Sequence, residues 1–297
     1  MENKIATPSV TKKILNKYNL NLKKSLGQNF LVDQNIIEII SSSAAIKGDE
    51  FIIEIGPGIG SLTQSILNKL KTGNLLAVEK DAAMVEVLND IFAEENKLTL
   101  INQDALKIDW PEILEKYNPE KKKVKLLANL PYYVTTPIIM GVLESEIELE
   151  NMVFMVQKEV GERICAGPET KKFGSLSVAV QYYMQPEIIH QVPANVFIPQ
   201  PNVDSVIVGL APYPENIYQK EVLNQDFFFQ IVKSIFQQRR KTLRNSLSRS
   251  AIINLDRDLV TQALNDEGIG IKKRGEKLSI LEMISISNRI YKMREEE

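Results

Sequence analysis

Three short stretches hold residues able to do chemistry together. EIGPGIG (54–60) packs three glycines between two apolar runs, Glu79 follows Gly56 by 23 residues, and Asp104 stands in INQDAL (101–106). Glycines after a strand let backbone approach a ligand at the carboxyl edge of a sheet, and a carboxylate ending the next strand can accept both hydroxyls of a ribose. The loop alone is also what a tight strand-to-helix turn looks like, and with Glu79 it suits NAD as well as S-adenosylmethionine. Two features choose between them. The pattern is G-P-G-I-G rather than G-x-G-x-x-G, and Pro57 removes a backbone N–H that a pyrophosphate would need as a donor. Asp104 is placed to accept from an adenine amino group. One ribose, one adenine and no phosphate describe S-adenosylmethionine, the cofactor expected here. Glu79 and Asp104 each precede a helical stretch, so either can also serve as a helix N-cap.

The third stretch is NLPYY (129–133). The exocyclic amine of a base is a poor nucleophile because its lone pair is delocalised into the ring. Acceptors aimed at its two N–H groups free that pair, and holding it in line with an electrophile does most of the remaining work. The Asn129 side-chain oxygen and the Leu130 or Pro131 carbonyl can be those acceptors, with Pro131 rigidifying the turn. Tyr132 offers a stacking face, while Tyr133 reads as packing.

The elements around these stretches follow from periodicity. DQNIIEIISSSAAI, from Asp33, puts Ile36, Ile37, Ile39 and Ile40 on a helical face with an Asp at the N-cap. FIIEI (51–55) reads as a strand, SLTQSILNKL as a helix, LLAVE (75–79) as a strand, and 81 to about 92 as a helix. LTLIN (98–102), VKLLANL (124–130) and MVFMVQ (152–157) continue the strands. Alternation of this kind predicts right-handed βαβ units and a mostly parallel sheet, a Rossmann-like α/β fold. LSVAVQYYM (176–184) and VDSVIVGLA (203–211) read as two further strands closing the sheet as an antiparallel edge. After Pro212 and Pro214 only helical stretches remain. The expected organisation is a basic N-terminal segment at 1–32, a methyltransferase-like domain at 33–211 and a small helical domain at 212–297.

At 297 residues with 44% hydrophobic positions the chain can bury one large core and a second small one. A net charge of −2 hides an asymmetry: 1–32 carries +5 and 227–255 carries +6, leaving −13 for the rest. The second segment holds Lys233, Arg239, Arg240, Lys241, Arg244 and Arg249 with no acid, and Arg239, Arg240, Lys241 and Arg244 are the candidates for gripping RNA phosphates. A solvated helix face is the plain alternative. The lone Cys165 excludes an internal disulfide, and His190, the single histidine, reads as structural; no metal is expected. No segment approaches membrane-spanning length, so a cytoplasmic protein is expected, and a monomer.

NLPY at a strand end resembles the Asn/Asp-Pro-Pro-Tyr motif of amino-group N-methyltransferases. Taken with LGQNFLVD (26–33), EIGPGIGSLT (54–63), VEKD (78–81), QDAL (103–106), FIPQPNVDSVIV (197–208) and RRKTLRNSL (239–247), the chain resembles the KsgA family over about 20–290. That resemblance implies dimethylation of N6 on two adjacent adenosines in the 3′-terminal hairpin of 16S rRNA, within the small ribosomal subunit or its precursor, during subunit biogenesis. It also implies roles. Asn29 and Leu31 would contact the cofactor, as would Gly56 through its backbone, Glu79 at the ribose and Asp104 at the adenine. Asn129 would bridge the cofactor methyl and the target amine, and Tyr132 with Phe197 would sandwich the extra-helical base. The alternatives are an Erm-type enzyme acting on large-subunit RNA, which is typically shorter, and a ribosome-assembly factor whose binding matters more than its chemistry.

Overall fold

A computed structural model describes residues 4–20, 29–145, 147–215 and 217–295. The chain divides into two compact units, Met1–Gly161 with Pro186–Ala211, and Glu162–Gln185 with Pro212–Glu297. The segment 162–185, placed with the first domain on sequence grounds, belongs to the second unit.

In the first unit, α1 (Pro8–Lys17) opens on a proline, whose missing N–H would be unpaired there anyway. The two-residue β1 (Phe30–Leu31) precedes α2 (Gln34–Ser43), which Asp33 caps by accepting the N–H groups of Asn35 and Ile36. The alternation then runs β2 (Phe51–Ile55), α3 (Ser61–Lys69), β3 (Asn74–Glu79), α4 (Ala82–Ile91), β4 (Leu98–Asn102), α5 (Trp110–Tyr117), β5 (Val124–Asn129), α6 (Thr135–Leu143) and β6 (Leu149–Gln157). After α7 (Lys158–Ile164) and α8 (Ser175–Tyr183) come β7 (Gln185–Val192), β8 (Phe197–Ile198) and β9 (Ser205–Ala211).

Seven strands form one sheet in the order β4-β3-β2-β5-β6-β9-β7. The pairs from β4 through β6 are parallel and β9 lies antiparallel to β6. Residues of β2 are buried throughout, which is why FIIEI reads as an unbroken apolar run instead of an alternation. On one face Ile52, Leu75 and Leu127 pack with Ile37 and Ile40 of α2 and Leu62 and Ile66 of α3. The carboxyl ends of β2, β3, β4 and β5 therefore share one edge, with β2 between β3 and β5. At the opposite edge Lys125 is almost fully buried and donates to Glu50 at 2.8 Å and to the Ala45 carbonyl at 2.7 Å.

Two sequence expectations about the later strands need correction. LSVAVQYYM is not a strand; residues 175–183 are the helix α8. Its apolar side chains recur at four-residue spacing, Leu176 with Val180 and Val178 with Tyr182, and Tyr182 is fully buried against Phe228 at 5.3 Å and Phe229 at 5.2 Å. Composition rich in Val and Tyr favours a strand, but packing decides such short apolar runs. The strand beside β9 is instead β7, QPEIIHQV, which is mostly exposed and carries the exposed His190.

The second unit packs α8 with α9 (Gln225–Gln237), α10 (Leu243–Ser248), α11 (Arg257–Asp266) and α12 (Ile280–Glu295). Asn224 caps α9 by accepting the Phe227 N–H, and Phe227, Phe228, Ile231 and Ile235 enter a core with Leu247, Leu264, Met283 and Ile290. Among the described residues no helix is long and apolar enough to cross a membrane, and no three His, Cys, Asp or Glu side chains gather as metal ligands would.

Candidate active site

The turn after β2 depends on backbone that only glycine enters freely. Gly56 has φ 70° and Gly60 φ 91°, both left-handed. A Cβ on Gly60 would lie 2.5 Å from the Phe92 ring, so this position must stay bare for α3 to start where it does. A Cβ on Gly56 would meet nothing nearer than the Asn129 carbonyl oxygen at 3.8 Å. Above Gly56 the loop opens onto a cavity.

Glu79 ends β3 and is nearly buried. One carboxylate oxygen accepts the Gly58 N–H at 3.1 Å and the other the Asp81 N–H at 2.8 Å. Burial still pushes its carboxyl above the usual range, with the backbone donors pulling the other way. Asp81, not Glu79, caps α4 by accepting from Ala83. Asp104 does cap a helix, a short 3₁₀ turn at Ala105–Lys107, through the Leu106 N–H. It also pairs with Lys80 Nζ at 2.8 Å, a contact that holds its carboxyl below the usual range. Asn102 joins the two loops by donating to the carbonyls of Glu79 and Lys80.

Asn129 is the last residue of β5, and the Leu130 N–H donates to the Met155 carbonyl of β6. The Pro131 carbonyl, one of two backbone acceptors expected from sequence, is already engaged: it accepts from the Val134 N–H at 3.2 Å and the Thr135 hydroxyl at 3.0 Å. It lies in the turn that leads into α6, hydrogen-bonded to the N-cap residue Val134 and to the hydroxyl of the first helical residue. Tyr132 shares a hydrogen bond with Ser205 Oγ at 2.7 Å, and burial pushes its phenol up. Tyr133, expected to be packing, is 52% exposed and lines the same cavity.

A two-stranded ribbon brings in the remaining candidates. β1 and β8 pair antiparallel, Leu31 opposite Phe197, and the Val32 N–H extends the pairing to the Val196 carbonyl. Phe197 is 3% exposed and sits in the apolar cluster with Phe30 and Leu31, so most of its ring is core, with one part reaching the cavity wall. Of LGQNFLVD, residues 26–28 lie outside the described residues.

One cavity is thus lined by Asn29, Leu31, Gly56, Glu79, Asp104, Asn129, Leu130, Pro131, Tyr132 and Phe197. Residues that sequence reasoning passed over line it too: Glu54, Lys80 and Tyr133. Glu54 carried a signal, since an acid inside a buried strand needs a reason. The donor set fits S-adenosylmethionine: a carboxylate at the end of β3, a second at the end of β4, and an uncovered glycine backbone between β3 and Asn129 of β5.

The phosphate-binding candidates lie in the second unit and differ among themselves. Arg239 donates to the Lys171 carbonyl at 2.8 Å and the Phe173 carbonyl at 3.0 Å and lies 3.6 Å from Glu276, so its guanidinium is committed within the fold. Arg240 and Lys241 are exposed in the turn after α9. Arg244 is half-buried on α10, and its Nε has no hydrogen-bond partner among the described residues. Among the N-terminal lysines, Lys17 pairs with Asp90 at 2.9 Å, and Lys23 and Lys24 lie outside the described residues.

Residues 19–292 match the family described as ribosomal RNA adenine dimethylase. The chain is 50% identical to the ribosomal RNA small subunit methyltransferase A of Halothermothrix orenii, covering 100% of this chain and 98% of that protein. It is 46% identical to the protein of the same name from Alkaliphilus metalliredigens, covering 97% and 98%. Among solved structures, the fold is similar to a dimethyladenosine transferase from Plasmodium falciparum, with a TM-score of 0.75 at 24% identity over 89% of this chain and 98% of that one. By family match, near-full-length identity and the content of its cavity, the chain belongs to the ribosomal RNA adenine dimethylases, enzymes that transfer methyl groups from S-adenosylmethionine to adenine in ribosomal RNA.

Proposed function

We propose that this protein dimethylates N6 of two adjacent adenosines in the 3′-terminal hairpin of 16S rRNA, in the small subunit or its precursor, and works in the cytoplasm where that substrate is made. Two relatives named for the small subunit, matched end to end at 50% and 46% identity, support the choice of subunit. The single observation that carries the chemistry is the Asn129 turn facing the Gly56 loop across one cavity.

When bound, the cofactor supplies an electrophilic methyl group on a positively charged sulfur. This chain's residues supply position. Asn129 Oδ1 and the Leu130 carbonyl accept hydrogen bonds from the N6–H groups, drawing the amine lone pair out of the ring; the Pro131 carbonyl, already accepting two hydrogen bonds, takes no part. Tyr132 presents its ring to the base while the Ser205 contact fixes its angle, and the edge of Phe197 closes the other side. Glu79 takes the ribose and Asp104 the adenine of the cofactor. No side chain need act as a base, because the amine becomes far more acidic once methylated and its proton leaves afterward.

Asn129→Ala is expected to abolish methyl transfer while leaving cofactor binding mostly intact, whereas Glu79→Ala weakens the cofactor itself. Equilibrium binding beside methyl incorporation into undermethylated small subunits checks both. Near-normal turnover by Asn129→Ala sinks the amine-positioning account, and a preference for naked large-subunit RNA overturns the choice of subunit.

A further inference from the structure

Glu54 is a buried carboxyl that positions neither the ribose, the adenine nor the target amine. It is 1% exposed, lines the cofactor cavity, and accepts the Thr63 hydroxyl at 2.7 Å. Sheet register says where it points. Glu54 pairs with Ala77 on β3 and with Leu127 on β5. Residues two apart on a strand share a face, and paired residues on adjacent strands share it too. Glu79 and Asn129 therefore lie on the same face as Glu54, one step nearer the carboxyl edge, and Gly56 follows just past the end of β2. Gly56 has no side chain and leaves the cavity wall open beside Asn129, so a ligand held there between Glu79 and Asn129 shares one cavity with Glu54. The ribose site and the methyl-transfer site flank that position, and the sulfur of the cofactor joins a ribose to the transferred methyl.

The surroundings decide the charge of this floor. Glu79 faces it from β3, Asp81 lies behind Glu79 at the start of α4, and Thr63 of α3 and Asn129 of β5 are uncharged. Lys125 shares the face further down β5 but is committed to Glu50. Burial, with Glu79 adding to it and the Thr63 hydroxyl opposing, pushes the Glu54 carboxyl up to about 8, which favours its neutral form without ligand.

We propose that Glu54 senses the charge on the cofactor sulfur: it releases its proton to solvent when a sulfonium lies over Gly56 and takes one back from solvent when methyl transfer leaves a neutral thioether. Glu54 is a discriminating residue that strengthens the hold on the donor and loosens it on the spent product. The inference rests on the S-adenosylmethionine reading of the cavity. Glu79 cannot produce the same effect, because the ribose it takes is common to both ligands.

Calorimetry of the full chain in two buffers of different ionisation enthalpy tests this, with S-adenosylmethionine and S-adenosylhomocysteine as ligands. Roughly one proton should be released with the sulfonium and close to none with the thioether, and between about pH 6 and about pH 7.5 sulfonium affinity should rise about tenfold per unit relative to thioether affinity. Glu54→Gln, which keeps an acceptor for Thr63, should remove both the difference in protons and the difference in pH dependence. Equal proton counts for the two wild-type ligands overturn the proposal even if the variant does not fold. Persistence of the wild-type difference in Glu54→Gln overturns it as well. Failure of both ligands to bind at all instead brings down the cofactor reading, and this inference with it.

Discussion

At the turn after β5 two adjacent tyrosines have different fates. Tyr132 is held by Ser205, so its ring angle is set by β9, while Tyr133 leaves half its surface to solvent at the cavity rim. If the cavity takes the target base as proposed, an exposed ring at its mouth suits a flanking nucleotide, and stacking on such a ring contributes about 1–3 kcal/mol per base. Tyr133→Ala should therefore raise the KM for RNA by about tenfold, within that range, and leave the affinity for S-adenosylmethionine unchanged. Steady-state kinetics with separate cofactor titration distinguishes the outcomes: a shift in cofactor affinity alone would place Tyr133 over the cofactor instead.

The strand β2, with the residue just before it, carries two buried carboxyls of opposite temper. Glu50 accepts from Lys125 and from the N–H groups of Lys47 and Gly48, and its carboxyl falls to about 2. A depressed carboxylate contributes stability above its ordinary range, lost as pH falls from about 4.5 toward about 2. Glu54, raised to about 8, has the reverse sign: the unfolded chain ionises it first, so stability erodes as pH climbs from about 4.5 to about 8. Urea unfolding against pH should show that alkaline erosion in the wild type and a flatter profile in Glu54→Gln. Lys125→Met should cost about 3–5 kcal/mol at neutral pH by leaving Glu50 buried without its partner, and Glu50→Gln added to it should recover a large part. A double variant no more stable than Lys125→Met would show that the loss does not come from stranding Glu50 without its partner.

Across the whole molecule charge is divided between an acidic body and basic segments. Only part of the 239–244 run is available for phosphates, because Arg239 is spent on two carbonyls of its own unit. Reversing the charge of Arg240 and Lys241 should weaken binding to small-subunit RNA and lower its salt slope by roughly one per lost phosphate contact. Arg239→Ala should instead destabilise the helical unit by about 0.5–1.5 kcal/mol, since one exposed and one half-buried carbonyl lose their donor. Filter binding at several salt concentrations, beside thermal unfolding, separates the two effects; an unchanged slope for the first variant returns the run to a solvated face.

The glycine loop, the acids at the ends of β3 and β4 and the NLPYY turn were legible in the sequence because each is a local event at a strand end. A period of two or of 3.6, a proline and a glycine are read over a few residues. The order of alternating elements then implies a mostly parallel sheet. Segment 176–184 was not legible in this way, since a short run of Val, Leu and Tyr satisfies either period until the rings of α9 choose the helix. Strand β7 escaped notice because it is mostly exposed and has little apolar alternation to show. The pairing of Leu31 with Phe197, the commitment of Arg239 and the engagement of the Pro131 carbonyl are contacts whose partners no local pattern announces. Glu54 states the division most plainly: the sequence shows an acid in an apolar strand, but only the register of three strands sets it on the face it shares with Glu79 and Asn129.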